Sequence, residues 1–173
     1  MKNRSYFSPA ILVMAFIVFF SSCRDKEEPV VSPIVGTWSY STFQLDLQVN
    51  GQTLEQFLIS LGATPQEAEA LANQIRNDFF SNADFAGTVL QFKADGTYEI
   101  TVNGRLDESG TYELRNGNTL LRLTSDSETQ EFQVKELTNS RLTILLEEEE
   151  SGDFFEEGSP VLVKLQLELS FVK

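Results

Sequence analysis

The chain reads as a mainly β protein, an eight-stranded antiparallel up-and-down β-barrel with a two-helix insert between its first and second strands. Three observations carry this reading. Apolar and polar residues alternate through most of the second half, turn-forming residues punctuate those runs at short intervals, and one stretch alone switches to helical spacing.

The first strand runs from Thr37 to about Val49. Trp38 and Tyr40 share one parity while Phe43, Leu45, Leu47 and Val49 share the other. One slipped residue near Thr42 reconciles the two sets, which predicts a bulge in a long, coiled strand of the kind a closed barrel needs. The insert follows, from Thr53 to Phe80. Leu54, Phe57, Leu58 and Leu61 form a helical stripe, opened by a Thr53–Gln56 capping pair and stopped at Gly62. Thr64-Pro65-Gln66-Glu67 opens a second helix with a cap, a proline in the first turn and an acid three residues on. Ala68, Leu71, Ile75 and Phe79 are expected on its buried face.

From Thr88 to Phe171 the alternation recurs in about seven runs. Leu90 and Phe92, then Tyr98, Ile100 and Val102, then Tyr112 and Leu114, Leu121 and Leu123, Phe132 and Val134, and Leu142, Ile144 and Leu146 mark successive inner faces. The last strand is the cleanest, with Val161, Val163, Leu165, Leu167, Leu169 and Phe171 alternating against Lys164, Gln166, Glu168 and Ser170. Ala94-Asp95-Gly96, Glu108-Ser109-Gly110, Asn116-Gly117-Asn118, Asp126-Ser127 and Thr138-Asn139-Ser140 supply the turns. Connections this short make successive strands antiparallel, because a parallel crossover needs about a dozen residues or more.

The first residues carry an address. Lys2 and Arg4 precede an apolar run from Ala10 to Phe20, and Ser21-Ser22-Cys23 close it. The run is about half the roughly 20 residues that span a bilayer. Phe20-Ser21-Ser22-Cys23 resembles the lipobox of bacterial lipoproteins, with Phe20 where an aliphatic residue is usual. The expectation is a signal peptide over 1–22, a diacylglycerol-bearing Cys23 with a tether over 23–33, and a barrel domain over 34–173 whose helical insert spans about 53–80. Lys26-Glu27-Glu28 is similar to a surface-export signal of lipoproteins in one Gram-negative phylum. The expected location is the outer membrane, lipid-anchored and exposed at the cell surface.

Charge and composition narrow the function. Without Lys2 and Arg4, 11 basic side chains face 26 acidic ones, a balance of −15 that repels nucleic acid and anionic surfaces. Cys23 is the only cysteine, so neither an internal disulfide nor a cysteine-based zinc cluster can form. The chain contains no histidine, which excludes a Ser-His-Asp triad, a Cys-His pair and histidine-ligated metal. No phosphate-cradling glycine loop appears, and no cofactor is implied. Paired carboxylates stay open on composition alone, but no cleft signature accompanies them, and the chain is read as a non-enzyme. Glu147-Glu148-Glu149-Glu150, with Asp153, Glu156 and Glu157 around Phe154-Phe155, reads as a solvated loop joining the last two strands. It lacks the spacing of a calcium loop, and no metal site is assigned.

An eight-stranded meander with one large first loop resembles a lipocalin. Gly36-Thr37-Trp38 is similar to the Gly-x-Trp start of the lipocalin first strand, and Phe92 to Tyr98 and Gly110-Thr111-Tyr112 resemble hairpins of lipocalin-like domains borne by bacterial lipoproteins. In secreted lipocalins an arginine on a late strand stacks over the tryptophan; here the end of the chain offers only Lys164 and Lys173. The resemblance implies a barrel that binds a small hydrophobic ligand. The interior candidates are Trp38, Tyr40, Phe92, Tyr98, Ile100, Tyr112, Leu121, Phe132, Ile144 and Leu165. The alternative is a packed barrel that acts as a protein-interaction or structural module of the cell envelope. Eight strands enclose room either for side chains alone or for one small ligand.

Overall fold

The first strand, β1 (Gly36–Val49), serves two neighbours in turn. In the computed structural model, which describes residues 32–126, 128–152 and 160–173, its first four residues pair with β3 (Thr88–Phe92). From Ser39 to Val49 it pairs instead with β9 (Val161–Val172). The register slips by one residue between Tyr40 and Thr42, the expected bulge, and this moves the inward set from Trp38 and Tyr40 to Phe43, Leu45, Leu47 and Val49. Cys23, the Lys26-Glu27-Glu28 patch, Ser127 and the stretch from Asp153 to Ser159 lie outside the described residues.

At its end β1 turns through Asn50 and Gly51, both at positive φ, into the two-residue β2 (Gln52–Thr53). Left-handed backbone at two consecutive positions is what a tight hairpin requires, and asparagine followed by glycine adopts it at least cost. Helices α1 (Leu54–Ser60) and α2 (Pro65–Phe79) follow, each with the capping box expected of it, Thr53 with Gln56 and Thr64 with Glu67. A short third helix, α3 (Asn82–Phe85), adds to the expected two. It sets Phe85 against Tyr40 and Phe43, with ring centroids 5.7 and 5.4 Å apart, close to where β1 parts from β3.

Five more strands complete the molecule: β4 (Thr97–Val102), β5 (Arg105–Arg115), β6 (Leu120–Thr124), β7 (Thr129–Leu137) and β8 (Arg141–Gly152). Glu108-Ser109-Gly110, expected as a turn, are strand paired with β4, and the β4–β5 turn is made instead by Asn103 and Gly104, both at positive φ. From β3 onward each strand pairs antiparallel with the next, and β9 returns to β1, so β1 and β3 to β9 close an eight-stranded barrel. Glu147 to Glu150 are therefore strand, correcting the expected loop: β8 continues to Gly152 because β9 pairs with it over its whole length. Among the described residues no helix is long and apolar enough to cross a membrane.

The base of the barrel is built on Trp38. The residue is fully buried, its indole N–H donates to the Ile34 carbonyl at 2.7 Å, and the Lys173 ammonium sits 4.5 Å from its ring centroid. Lys173 also donates to the carbonyls of Pro33 and Val35 at 2.9 and 2.7 Å, so one cation covers the ring and ties the residues before β1 to the end of β9. Gly36 stands at φ 137°, and a β-carbon there would run into the Lys173 side chain. The first residue of Gly-x-Trp is thus fixed by its backbone angle, and a larger residue there would also push the lysine away from its place over the ring.

Candidate functional site

Nine of the ten interior candidates converge on one cluster. Trp38, Phe92, Tyr98, Leu121 and Ile144 are buried within it, and Tyr40, Ile100, Tyr112 and Phe132 pack against them half-buried. The polar atoms of the three tyrosines are all engaged. Tyr98 donates its hydroxyl to Glu108, and burial followed by that carboxylate pushes the phenol well above its usual range. Tyr112 donates to the Lys93 carbonyl at 2.9 Å and meets Phe92 edge-on at 4.9 Å, its phenol raised chiefly by burial. Tyr40 donates to Asn82 at 2.8 Å. A small void of about 110 Å³ remains beside Ile100, Leu123 and Phe132, bordered by Glu108, Glu128 and Gln130. Ligand pockets typically hold about 300 Å³ or more, so the void is too small for one.

Leu165, the tenth candidate, faces inward but packs in a separate cluster with Leu47, Val49, Leu54, Phe57 and Ala72. The separation follows from strand length. β8 keeps β7 as a partner only to Leu145, and β1 has lost β3 after Ser39. Beyond those points β1, β9 and β8 continue as a three-stranded extension of the barrel wall. Its register sets Leu47, Leu165 and Glu148 side by side in one row, and Val49, Val163 and Glu150 in the next.

The helical insert packs on this inner face. Leu54 and Phe57 of α1 are buried there, and Ala68 and Ala72 make the tightly covered side of α2, with Ile75 half-buried below them. Arg76 of α2 pairs with Glu55 of α1 at 2.6 Å, and this hydrogen bond holds the Glu55 carboxyl below its ordinary range. The expected buried face of α2 needs correction. Leu71 is 44 % exposed and Phe79 52 % exposed, because small alanines, not the larger side chains, let this helix approach its neighbours. Leu61, at the end of the α1 stripe, is likewise exposed.

Between hairpin and extension lies a recess of about 440 Å³, walled by Leu47, Val49, Leu54, Ile75, Phe79, Val163 and Leu165, with Glu148 and Glu150 on the β8 side. It lies within the roughly 300–1,000 Å³ of small-molecule sites. Apart from Leu165, sequence reasoning placed none of these residues in a site. The signal was present in the parity of β8: Glu148 and Glu150 continue the inward series Leu142, Ile144, Leu146. Among the described residues no cluster of acids gathers as a metal-ion cage.

Comparison with known proteins agrees with this architecture. A search of curated proteins returned no match. A family model described as a lipocalin-like domain matches residues 34–144, which takes in the Gly-x-Trp strand, the helical insert and the barrel wall as far as Ile144. The match spans well over half of the chain and coincides with a closed eight-stranded antiparallel barrel whose first strand buries its tryptophan at the base. The chain belongs to the lipocalin-like domain family.

Proposed function

We propose that this protein binds a small hydrophobic molecule, without catalysing a reaction, in the recess between its helical hairpin and the β1–β9–β8 extension. The observation that carries the reading is that recess: about 440 Å³ with seven apolar side chains on its walls, beside a barrel interior whose side chains pack into one cluster and leave a void of only about 110 Å³. An apolar body placed there rests on the buried Leu47 and Val49 and removes the half-buried Ile75, Val163 and Leu165 and the exposed face of Phe79 from water, at about 25 cal/mol per Å² of apolar surface covered. Nile red, a neutral apolar dye, tests the reading by fluorescence titration. Saturable one-to-one binding that Ile75→Trp abolishes by occupying the space supports it. Binding that survives a filled recess contradicts it.

The second reading, a protein-interaction module of the envelope, draws support from the packed interior and from Ile59, Leu61 and Leu71, which stay exposed on the hairpin. A chain that ignores every apolar probe but is captured by an envelope protein through those side chains favours this second reading. Under either, the protein is held at the outer membrane by lipid on Cys23 and displayed at the cell surface; the order of charged, apolar and small residues before that cysteine supports the anchor, and Lys26-Glu27-Glu28 after it supports the display. Acyl chains contribute about 0.8 kcal/mol per buried methylene. Cys23→Ser should therefore move the protein from the membrane pellet to the soluble fraction, and full retention in the pellet rules the anchor out.

A further inference from the structure

The recess has two chemically different sides. In each of its two strand rows, a pair of apolar residues from β1 and β9 ends in a carboxylate on β8: Leu47 and Leu165 with Glu148, then Val49 and Val163 with Glu150. Two residues apart on one strand face, these acids stand roughly 7 Å from each other, near enough for one head group to lie between them. Neither has an ion-pair partner among the described residues. On the elements that wall the recess the basic groups Lys164, Arg76 and Arg141 are already taken, and the charge of Lys135 on neighbouring β7 acts on Glu147, on the opposite face of β8. Lys164 lies on the opposite face of β9 and binds Glu147 at 2.9 Å, while Arg76 of α2 binds Glu55 at 2.6 Å. Both carboxylates are exposed at the rim, and an apolar occupant covering the walls would take water from the sides that face it, which is unfavourable unless it brings positive charge to them.

We infer that the ligand is a cationic amphiphile: a compact apolar body with an ammonium or guanidinium head that meets Glu148 and Glu150. This rests on the recess being the binding site. It disfavours fatty acids and other anionic lipids, whose carboxylates would face two of the same sign.

Competition against Nile red on the full-length protein tests it, using dodecyltrimethylammonium and dodecanoate well below their micelle concentrations and dodecanol below its solubility limit. The three share an apolar chain and differ in charge. The cation should displace the dye at about tenfold lower concentration than the anion, with the alcohol between them, and added salt should narrow the gap. Glu148→Gln with Glu150→Gln should collapse that ratio. Asp107→Asn with Asp126→Asn, which removes the same charge away from the recess, should preserve it. Because the readout is a ratio, any change in dye affinity cancels. Equal competition by cation and anion, a ratio that survives the double glutamate variant, or equal loss in the aspartate control overturns the inference while leaving the apolar site standing. Failure of Nile red to bind the unaltered protein removes both.

Discussion

Replacing Trp38 with phenylalanine removes three interactions at the barrel base while keeping an aromatic ring. The indole N–H no longer reaches the Ile34 carbonyl, 2.7 Å away in a fully buried setting, and an acceptor stranded there costs about 1–3 kcal/mol. The Lys173 ammonium, 4.5 Å above the ring, loses the richer of the two aromatic faces, worth about 0.5–1 kcal/mol where the cation is solvated. The smaller ring also leaves unfilled volume, at about 1 kcal/mol for a space of this order. Together the loss is about 3 kcal/mol, which for a domain of this size lowers Tm by roughly 6–12 °C. Urea unfolding followed by far-ultraviolet circular dichroism is the suitable assay, since Trp38 is the only tryptophan and its fluorescence leaves with it. The same variant made on Lys173→Met should lose less, because the cation term is already gone. A Trp38→Phe protein within 1 kcal/mol of the parent, with an unchanged urea slope, would refute the assignment of Trp38 as the tied base of the barrel.

Two further outcomes follow from the same geometry. Gly36→Ala puts a β-carbon at φ 137° into the Lys173 side chain, so it should destabilise by about 1–3 kcal/mol; Lys173→Ala should recover the steric part of that loss but not the backbone part. The Glu55 and Glu67 carboxyls are held below their ordinary value of 4.5, by Arg76 and by the Thr64 backbone respectively. A lowered folded-state pKa contributes stability above the unfolded value and loses it as pH falls through the folded one, so protection of α2 amides from hydrogen exchange should decline on acidification below pH 4.5. Glu55→Gln should lower that protection at neutral pH and flatten its acid dependence; identical profiles for the two proteins would mean the pair contributes nothing to the hairpin.

What could be read in the sequence was local backbone chemistry and facing. The parity break in β1 placed the bulge near Thr42, next to the Ser41 at which the register slips, and Thr53–Gln56 and Thr64–Glu67 located the helix starts, because each depends only on neighbouring residues. Helical spacing grouped Ala68, Leu71, Ile75 and Phe79, but spacing does not say how much of a face is covered, and Leu71 and Phe79 remain outside the contact that the alanines make. Alternation likewise placed Leu165 on the inner face beside Leu169 and Phe171 without giving its height along the strand, so its membership of the second cluster could not be seen. The four residues of α3 are too few to carry a period, although Ser81 and Asp84 have the capping spacing that marks a helix start. Consecutive glutamates suggested a loop, yet a strand as long as β9 needs a partner along its length, and β8 supplies it.

The packed barrel interior and the recess beside it, under the helical hairpin, are the two places a ligand could enter, and the proposal puts it in the recess. Methyl chemical shifts measured while a neutral apolar ligand is titrated into the protein separate the two places directly. The methyls of Leu47, Val49, Leu54, Ile75, Val163 and Leu165 should move saturably, while those of Leu90, Leu121, Leu142 and Ile144 stay fixed and the emission of the buried Trp38 does not change. Saturable shifts at Leu121, Leu142 and Ile144 with a silent recess would place the ligand inside the barrel and contradict the account.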